Sequence, residues 1–98
     1  MAHVFETLNL ILYAPKSRGV YLLFDGHELI YIGRAAGEDV TIYSRLLSHL
    51  NGHEGRCTQK ATDFAFEETE YPYTREEELL KAYKSQSGRL PRCNERIG

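Results

Sequence analysis

The sequence lacks any long apolar run, since none approaches the ~20 residues that a transmembrane helix needs. It has only two cysteines, Cys57 and Cys93, which are too few for a disulfide framework, so we expect both thiols to be reduced. Its first residues also lack the basic start of a secretory signal. These absences favour a cytoplasmic protein without a membrane partner.

A net positive charge is also missing. The formal net charge is −2, so the chain as a whole is not a basic nucleic-acid-binding protein. The charge is uneven, because acidic side chains dominate residues 63–78 and basic ones dominate residues 81–98. A local basic face can still bind phosphates. The length and the hydrophobic fraction of 42% predict one globular domain over residues 1–98.

The most informative stretch is residues 19–33, in which two short apolar runs flank Asp25-Gly26-His27. An Asp-Gly pair between such runs predicts an antiparallel hairpin over residues 19–32. Tyr21 lies near the start of the first run and Tyr31 near the end of the second. Antiparallel pairing therefore predicts that the two tyrosines lie close together. Taken alone, both tyrosines suit positions of cross-strand packing.

Two helices are predicted on either side of the hairpin. The first lies within residues 3–14 and rests on the helical spacing of Val4, Leu8, Ile11 and Leu12. The second covers roughly residues 42–50, with Thr41 as its cap. It places Arg45 and His49 on one face, one turn apart.

The second half of the chain adds a strand and a helix. Residues 51–60 indicate a polar loop, and residues 61–69 contain a third strand. Thr74 and Glu77 resemble a capping box, which opens a helix that ends at about Ser85. The order of elements predicts an α/β fold with a small three-stranded antiparallel sheet flanked by helices.

The pair Gly19-Val20-Tyr21 and Tyr31-Ile32-Gly33 resembles the signature of the GIY-YIG nuclease family, with valine in place of isoleucine. Polar residues in the family's order follow along the chain up to the end of the match. They are an arginine and a histidine one turn apart, a glutamate before Leu79-Leu80 and an asparagine after Pro91: Arg45, His49, Glu76 and Asn94. The resemblance runs from Gly19 to Asn94.

This resemblance implies a divalent-metal-dependent endonuclease that hydrolyses DNA phosphodiester bonds, of a structure-selective or repair type. It implies a one-metal mechanism in which Glu76 binds Mg²⁺ or Mn²⁺, a cation that keeps several waters and needs few carboxylates. Arg45 would bind the scissile phosphate and stabilise its developing charge. Asn94 would support the site, and a protein partner would supply specificity.

The group that accepts the proton of the attacking water stays open. A tyrosine, Tyr31 or Tyr21, is one candidate and His49 is the other, with Tyr31 then orienting the water. Three basic residues are predicted to bind substrate: Arg34, Lys81 and Arg92.

Two other functions are consistent with the sequence. The same fold could be a catalytically silent module that binds nucleic acid or protein. Alternatively, a zinc site could form from His49, His53, Cys57 and Cys93, although no Cys-x-x-Cys pair is present. The choice between DNA and RNA, the substrate structure and the oligomeric state stay open.

Overall fold

The helices and strands of this protein are described by a computed structural model that covers residues 2–94. In chain order they are β1 (His3–Val4), α1 (Thr7–Tyr13), β2 (Gly19–Asp25), β3 (Glu28–Ala35), α2 (Ile42–Leu50), α3 (Arg56–Gln59), β4 (Asp63–Glu68) and α4 (Pro72–Ser87). The strands form one sheet in the order β1-β4-β2-β3, and neighbouring strands are antiparallel. The predicted α/β fold is confirmed, but the sheet has four strands rather than three.

The predicted hairpin is confirmed as the pair β2–β3. Tyr21 lies opposite Gly33, and Leu23 lies opposite Tyr31. In the turn, Gly26 has φ +62°, a left-handed conformation that glycine adopts without a steric penalty. The centroids of the two tyrosine rings are 6.1 Å apart, so the phenols share one end of the hairpin as the sequence predicts.

The chain before β2 differs from the prediction. Residues 3–4 form a strand that pairs with β4, and α1 begins only at Thr7. The four apolar residues on which that helix was predicted are 55–61% exposed, whereas Leu10 is buried. A strand of two residues has no sequence pattern of its own, so its conformation depends on its partner β4.

The helices on either side of β4 depend on their first residues. Helix α2 has the predicted bounds, and Thr41 and Ser44 cap it reciprocally through two hydrogen bonds of 3.0 Å. Helix α4 begins at Pro72, so the capping box predicted at Thr74 is wrong. Proline suits the first turn of a helix because an N–H there would have no intrahelical carbonyl to bond to, so its absence costs no hydrogen bond.

The expectation of two free thiols is wrong. Cys57 in α3 and Cys93 after α4 form a disulfide, with their Cα atoms 5.7 Å apart. Helix α3 itself lies within the predicted loop 51–60. The Cys93 amide donates a hydrogen bond of 2.8 Å to the Ile30 carbonyl, which holds the segment after α4 against the outer edge of β3. The disulfide removes the argument for a reducing compartment that rested on the cysteine count.

The core lies between the sheet and the helices α1 and α2. Its fully buried side chains come from every layer and include Leu10, Tyr21, Leu23, Ile30, Ile42, Leu46 and Phe64. Residues 2–94 contain no helix with both the length and the apolar character that crossing a membrane requires.

Candidate active site

A polar cavity of about 330 Å³ opens at the end of the hairpin where the two tyrosines lie. Side chains from β2, β3, α2 and α4, together with the segment between β3 and α2, form its wall. The lining residues are Tyr21, Tyr31, Arg34, Ala36, Val40, Arg45, Tyr73 and Glu76. The cavity thus brings together five of the residues selected from the sequence.

The close packing of the tyrosines requires glycine at position 33. A Cβ atom at Gly33 would lie 2.5 Å from the Tyr21 hydroxyl oxygen and 2.7 Å from Cε2 of Tyr31. Real Cβ contacts are not this short, and both rings are held by the sheet. The glycine of the Tyr-Ile-Gly motif is therefore the space into which the two phenols fit.

Tyr21, His49 and Thr58 form a buried chain of hydrogen bonds behind the cavity. The Tyr21 hydroxyl lies 2.8 Å from Nε2 of His49, and Nδ1 of His49 lies 2.7 Å from the Thr58 hydroxyl. All three residues are at most 3% exposed. His49 does not line the cavity, but it hydrogen-bonds to Tyr21 and its ring packs against Tyr31, with the two ring centroids 5.0 Å apart.

Burial is the main cause of the shifted pKa values of Tyr21 and His49 in this chain of hydrogen bonds. Burial and then the nearby Arg45 charge, against the opposite effect of Glu54, together lower the pKa of His49 from 6.5 to about 4. The imidazole is therefore neutral at pH 7. Burial also raises the pKa of both Tyr21 and Tyr31, and the positive charge of Arg45 opposes that rise.

Arg45 is held at the cavity by a carboxylate. Its Nη1 and Nη2 atoms lie 3.1 and 3.3 Å from the two carboxylate oxygens of Glu54, a bidentate pair. The Ser48 hydroxyl donates to the same carboxylate at 2.8 Å. The pKa of Glu54 is lowered, first by the bond from Ser48 and then, against the effect of burial, by Arg45. The guanidinium is therefore fixed in orientation with its positive charge beside the phenols.

Glu76 enters the cavity from the first half of α4. Its Oε1 atom accepts a hydrogen bond of 2.7 Å from Nη1 of Arg34. The Arg34 guanidinium carbon lies 4.2 Å from the centre of the Tyr73 ring, which supports it from one side. The Glu76 side chain is only 16% exposed and is the carboxylate in the wall of this cavity. It is therefore the group there that could bind a metal cation in place of Arg34.

Asn94 lies at the outer edge of β3 rather than in the cavity. Its side-chain oxygen accepts from the Ile32 amide and its side-chain nitrogen donates to the Ile32 carbonyl, both at 2.9 Å. It thus holds the strand between Tyr31 and Gly33. This arrangement fits a supporting role.

Two of the predicted substrate-binding residues lie outside the cavity wall. Arg92 pairs with Asp25 and Glu28 at the turn end of the hairpin, opposite to the tyrosine end, so it is not placed to contact a phosphate held by Arg45. Lys81 lies further along α4, with Nζ 3.9 Å from the Glu77 carboxylate. It lines an adjoining cavity whose wall also contains Tyr73 and Glu76.

The zinc alternative is wrong for the described residues. Cys57 and Cys93 are bonded to each other, so neither offers a thiolate. His49 uses both ring nitrogens in hydrogen bonds. Residues 2–94 contain no group of three or more His, Cys, Asp or Glu side chains that could hold a metal ion.

Three residues of the site were not predicted from the sequence: Glu54, Thr58 and Tyr73. The first two lie in the polar segment after α2, which has no periodic pattern, so no signal pointed to them. Tyr73 precedes Glu76 by three residues on the same helix. That spacing puts both on one face and was available from the sequence.

Comparisons with known proteins agree with this fold. No protein-family model matches the chain. UvrABC system protein C of Aquifex aeolicus (strain VF5) is 34% identical over 92 residues, which cover 86% of this chain and 16% of that protein. The chain therefore spans about one sixth of that relative's length.

Two solved structures are also similar. One is the GIY-YIG N-terminal endonuclease domain of UvrC from Thermotoga maritima bound to its catalytic divalent cation, magnesium. Its TM-score is 0.65 and its identity 26%, over 88% of this chain and 92% of that one. The other is a point mutant of the same domain bound to its catalytic divalent cation, with a TM-score of 0.63 and 26% identity, over 93% and 100% of the two chains.

Proposed function

We propose that this chain, which belongs to the GIY-YIG nuclease family, is a divalent-metal-dependent endonuclease that hydrolyses phosphodiester bonds of DNA. The observation that carries the proposal is one cavity lined by three tyrosines, two arginines and a single carboxylate. These are the groups that phosphodiester hydrolysis needs: a place for the attacking water, positive charge for the phosphate and a ligand for a cation. The similarity to UvrC favours a repair-type substrate.

Glu76 is the proposed metal ligand. A cation that keeps most of its waters and is bound by one protein carboxylate plus substrate oxygens fits a cavity with a single carboxylate. The ion could be Mg²⁺, as in the similar domain, or Mn²⁺. Such an ion, when bound, neutralises charge on the phosphate and stabilises the leaving oxygen.

The two arginines are the proposed phosphate contacts. Arg45 is oriented by Glu54 and has its remaining donors available toward the cavity, where they would hold the non-bridging oxygens. Arg34 lies on the other side of the cavity, on Glu76 and Tyr73. If Glu76 held a metal ion, Arg34 would be free to turn to the phosphate.

Tyr31 is the proposed contact of the attacking water, because it lines the cavity and is less buried than Tyr21. Burial raises its pKa, so the phenolate needs added positive charge nearby. Arg45 supplies part of that charge. His49 acts through Tyr21: with Nδ1–H donating to the Thr58 hydroxyl, its Nε2 accepts a hydrogen bond from the Tyr21 hydroxyl and keeps the phenol oriented. Asn94 fixes the strand that carries Tyr31.

A catalytically silent binding module is the alternative. Both cavity arginines are already paired with carboxylates, and the chain is net negative, which weakens binding to a polyanion. The match covers about one sixth of a longer relative, so a partner protein could supply specificity that this domain lacks.

The test is a cleavage assay with linear, flapped and branched DNA, in magnesium and in excess chelator, comparing the wild type with Glu76→Ala. Under the proposal, the wild type cuts at least one substrate in magnesium only, and Glu76→Ala cuts none although it stays folded. Binding without cleavage of any substrate would favour the silent module.

A further inference from the structure

A second cavity, of about 260 Å³, lies directly beside the candidate active site. Ala36 and Tyr73 line both cavities, so a molecule in one would lie next to a molecule in the other. The second cavity is smaller than the pockets of several hundred Å³ that hold drug-sized ligands. Its size suits one flat ring system.

The wall of this second cavity combines aromatic rings with polar groups of both charges. Tyr71 and Tyr73 flank Pro72 at the start of α4 and are 73% and 63% exposed. Their backbone is fixed, because the Tyr71 amide donates to the Thr69 hydroxyl at 3.1 Å and helix α4 begins at the next residue. Large exposed aromatic side chains on a fixed backbone beside a cavity are suited to stacking.

We propose that the second cavity binds an unpaired nucleobase of the strand that is cut, next to the scissile phosphate. The inference rests on the proposed function, because it takes the neighbouring cavity to hold that phosphate. Tyr71 would stack on the base, and Tyr73 would separate the base from the phosphate. The ligand class is a single-stranded nucleic-acid segment.

The charges of the second cavity favour a base over a second phosphate. Glu70 lies in its wall and would repel a phosphate, whereas its carboxylate can accept hydrogen bonds from an exocyclic amino group. Arg18 lies in the same wall and can stack on a base or contact the adjoining backbone. Base–tyrosine stacking tolerates any sequence because every base has a π-face.

This arrangement predicts whether the substrate is paired or unpaired at the bond that is cut. A base inside a duplex is stacked and paired and is not free to enter the cavity, whereas a base in a flap, branch or single strand is. The second cavity would therefore make this chain prefer DNA with unpaired nucleotides at the bond that is cut.

The test measures binding rather than cleavage, by fluorescence anisotropy in chelator with a labelled oligodeoxycytidylate, whose bases carry an exocyclic amino group, and with a blunt duplex of the same length. The wild type should bind the single strand more tightly than the duplex. Tyr71→Ala should weaken single-strand binding by about fivefold or more, and Tyr71→Phe, which keeps the ring, should not. Tyr13→Ala is the matched control, because Tyr13 is an exposed tyrosine on α1, outside both cavities.

Equal affinity of Tyr71→Ala and the wild type for the single strand would overturn the inference, as would a wild type that prefers the duplex or binds neither probe. These outcomes differ from failure of the proposed function. If the protein cuts duplex DNA in magnesium and Tyr71→Ala leaves single-strand binding unchanged, only the proposed role of the second cavity is wrong. If the protein binds single strands through Tyr71 but cuts no substrate, the proposed nuclease activity is wrong.

Discussion

Nη1 of Arg34 lies 2.7 Å from Oε1 of Glu76, so a positively charged side chain occupies the carboxylate that we assign to the metal ion. Tyr73 supports the same guanidinium at 4.2 Å. Under this assignment, a metal ion and Arg34 would compete for one carboxylate, so metal binding would be coupled to release of Arg34.

The coupling predicts opposite effects of Arg34→Gln on metal binding and on cleavage. Divalent metal should bind up to about fivefold more tightly, because a partly exposed ion pair no longer has to be broken. Cleavage should become slower, because a phosphate contact is lost. Metal affinity can be measured by the electron paramagnetic resonance of free Mn²⁺. Arg75→Gln removes the same charge from α4 outside the cavity, where Arg75 pairs with Glu67, and serves as the control. Weaker metal binding by Arg34→Gln would contradict the coupling.

The buried His49 predicts acid sensitivity of the fold. Its pKa is lowered to about 4 in the folded state and returns to about 6.5 on unfolding, so the unfolded chain binds more protons between these values. The stabilisation is complete above pH 6.5 and is lost as the pH falls toward 4. It amounts to about 3 kcal/mol between pH 7 and pH 4.

Urea unfolding from pH 7 to pH 4 measures this contribution when the wild type is compared with His49→Gln. Glu54, whose pKa is lowered, adds its own loss below its ordinary range in both proteins. Tyr21, Thr58 and Arg45 also face the ring and are unchanged between the two proteins. A pH dependence of the free energy of unfolding that is identical in wild type and variant would show that His49 is not buried as a neutral imidazole.

The disulfide between Cys57 and Cys93 closes a separation of 36 residues in sequence. A bond of this span restricts the unfolded chain, so replacing both cysteines by serine should lower the free energy of unfolding by about 2–4 kcal/mol. Thermal unfolding of the wild type with and without a reductant should show the same loss. An unchanged transition temperature in reductant would mean that the two sulfurs are not bonded.

The sequence predicts the elements that local chemistry determines. The Asp25-Gly26 turn and the reciprocal cap between Thr41 and Ser44 act within a few residues, so the hairpin and α2 follow from them. Residues at the ends of these elements are then close in space. Family resemblance added Glu76, which no local pattern marks as a ligand rather than a favourable charge near a helix start.

Apart from the capping box at Thr74, a local error because the helix begins at Pro72, the errors concern contacts between distant parts of the chain. Strand β1 forms because β4 pairs with it. The apolar residues at helical spacing around Leu8 face solvent, because Leu10 is the residue of α1 that is buried in the core. The Cys57–Cys93 bond depends on the segment after α4 returning along β3. Arg92 was grouped with the phosphate contacts by charge alone, and the fold places it at the other end of the hairpin.

We propose that Glu76 makes the cavity a metal-dependent nuclease site. The decisive measurement is the single-turnover rate of DNA cleavage in magnesium for two variants, Glu76→Gln and Glu77→Gln. The two variants remove the same charge from adjacent positions of α4, but only Glu76 lines the cavity with the tyrosines. We expect Glu76→Gln to lower the rate by a factor of about 100 or more while Glu77→Gln stays close to the wild type. Equal rates for the two variants would contradict it.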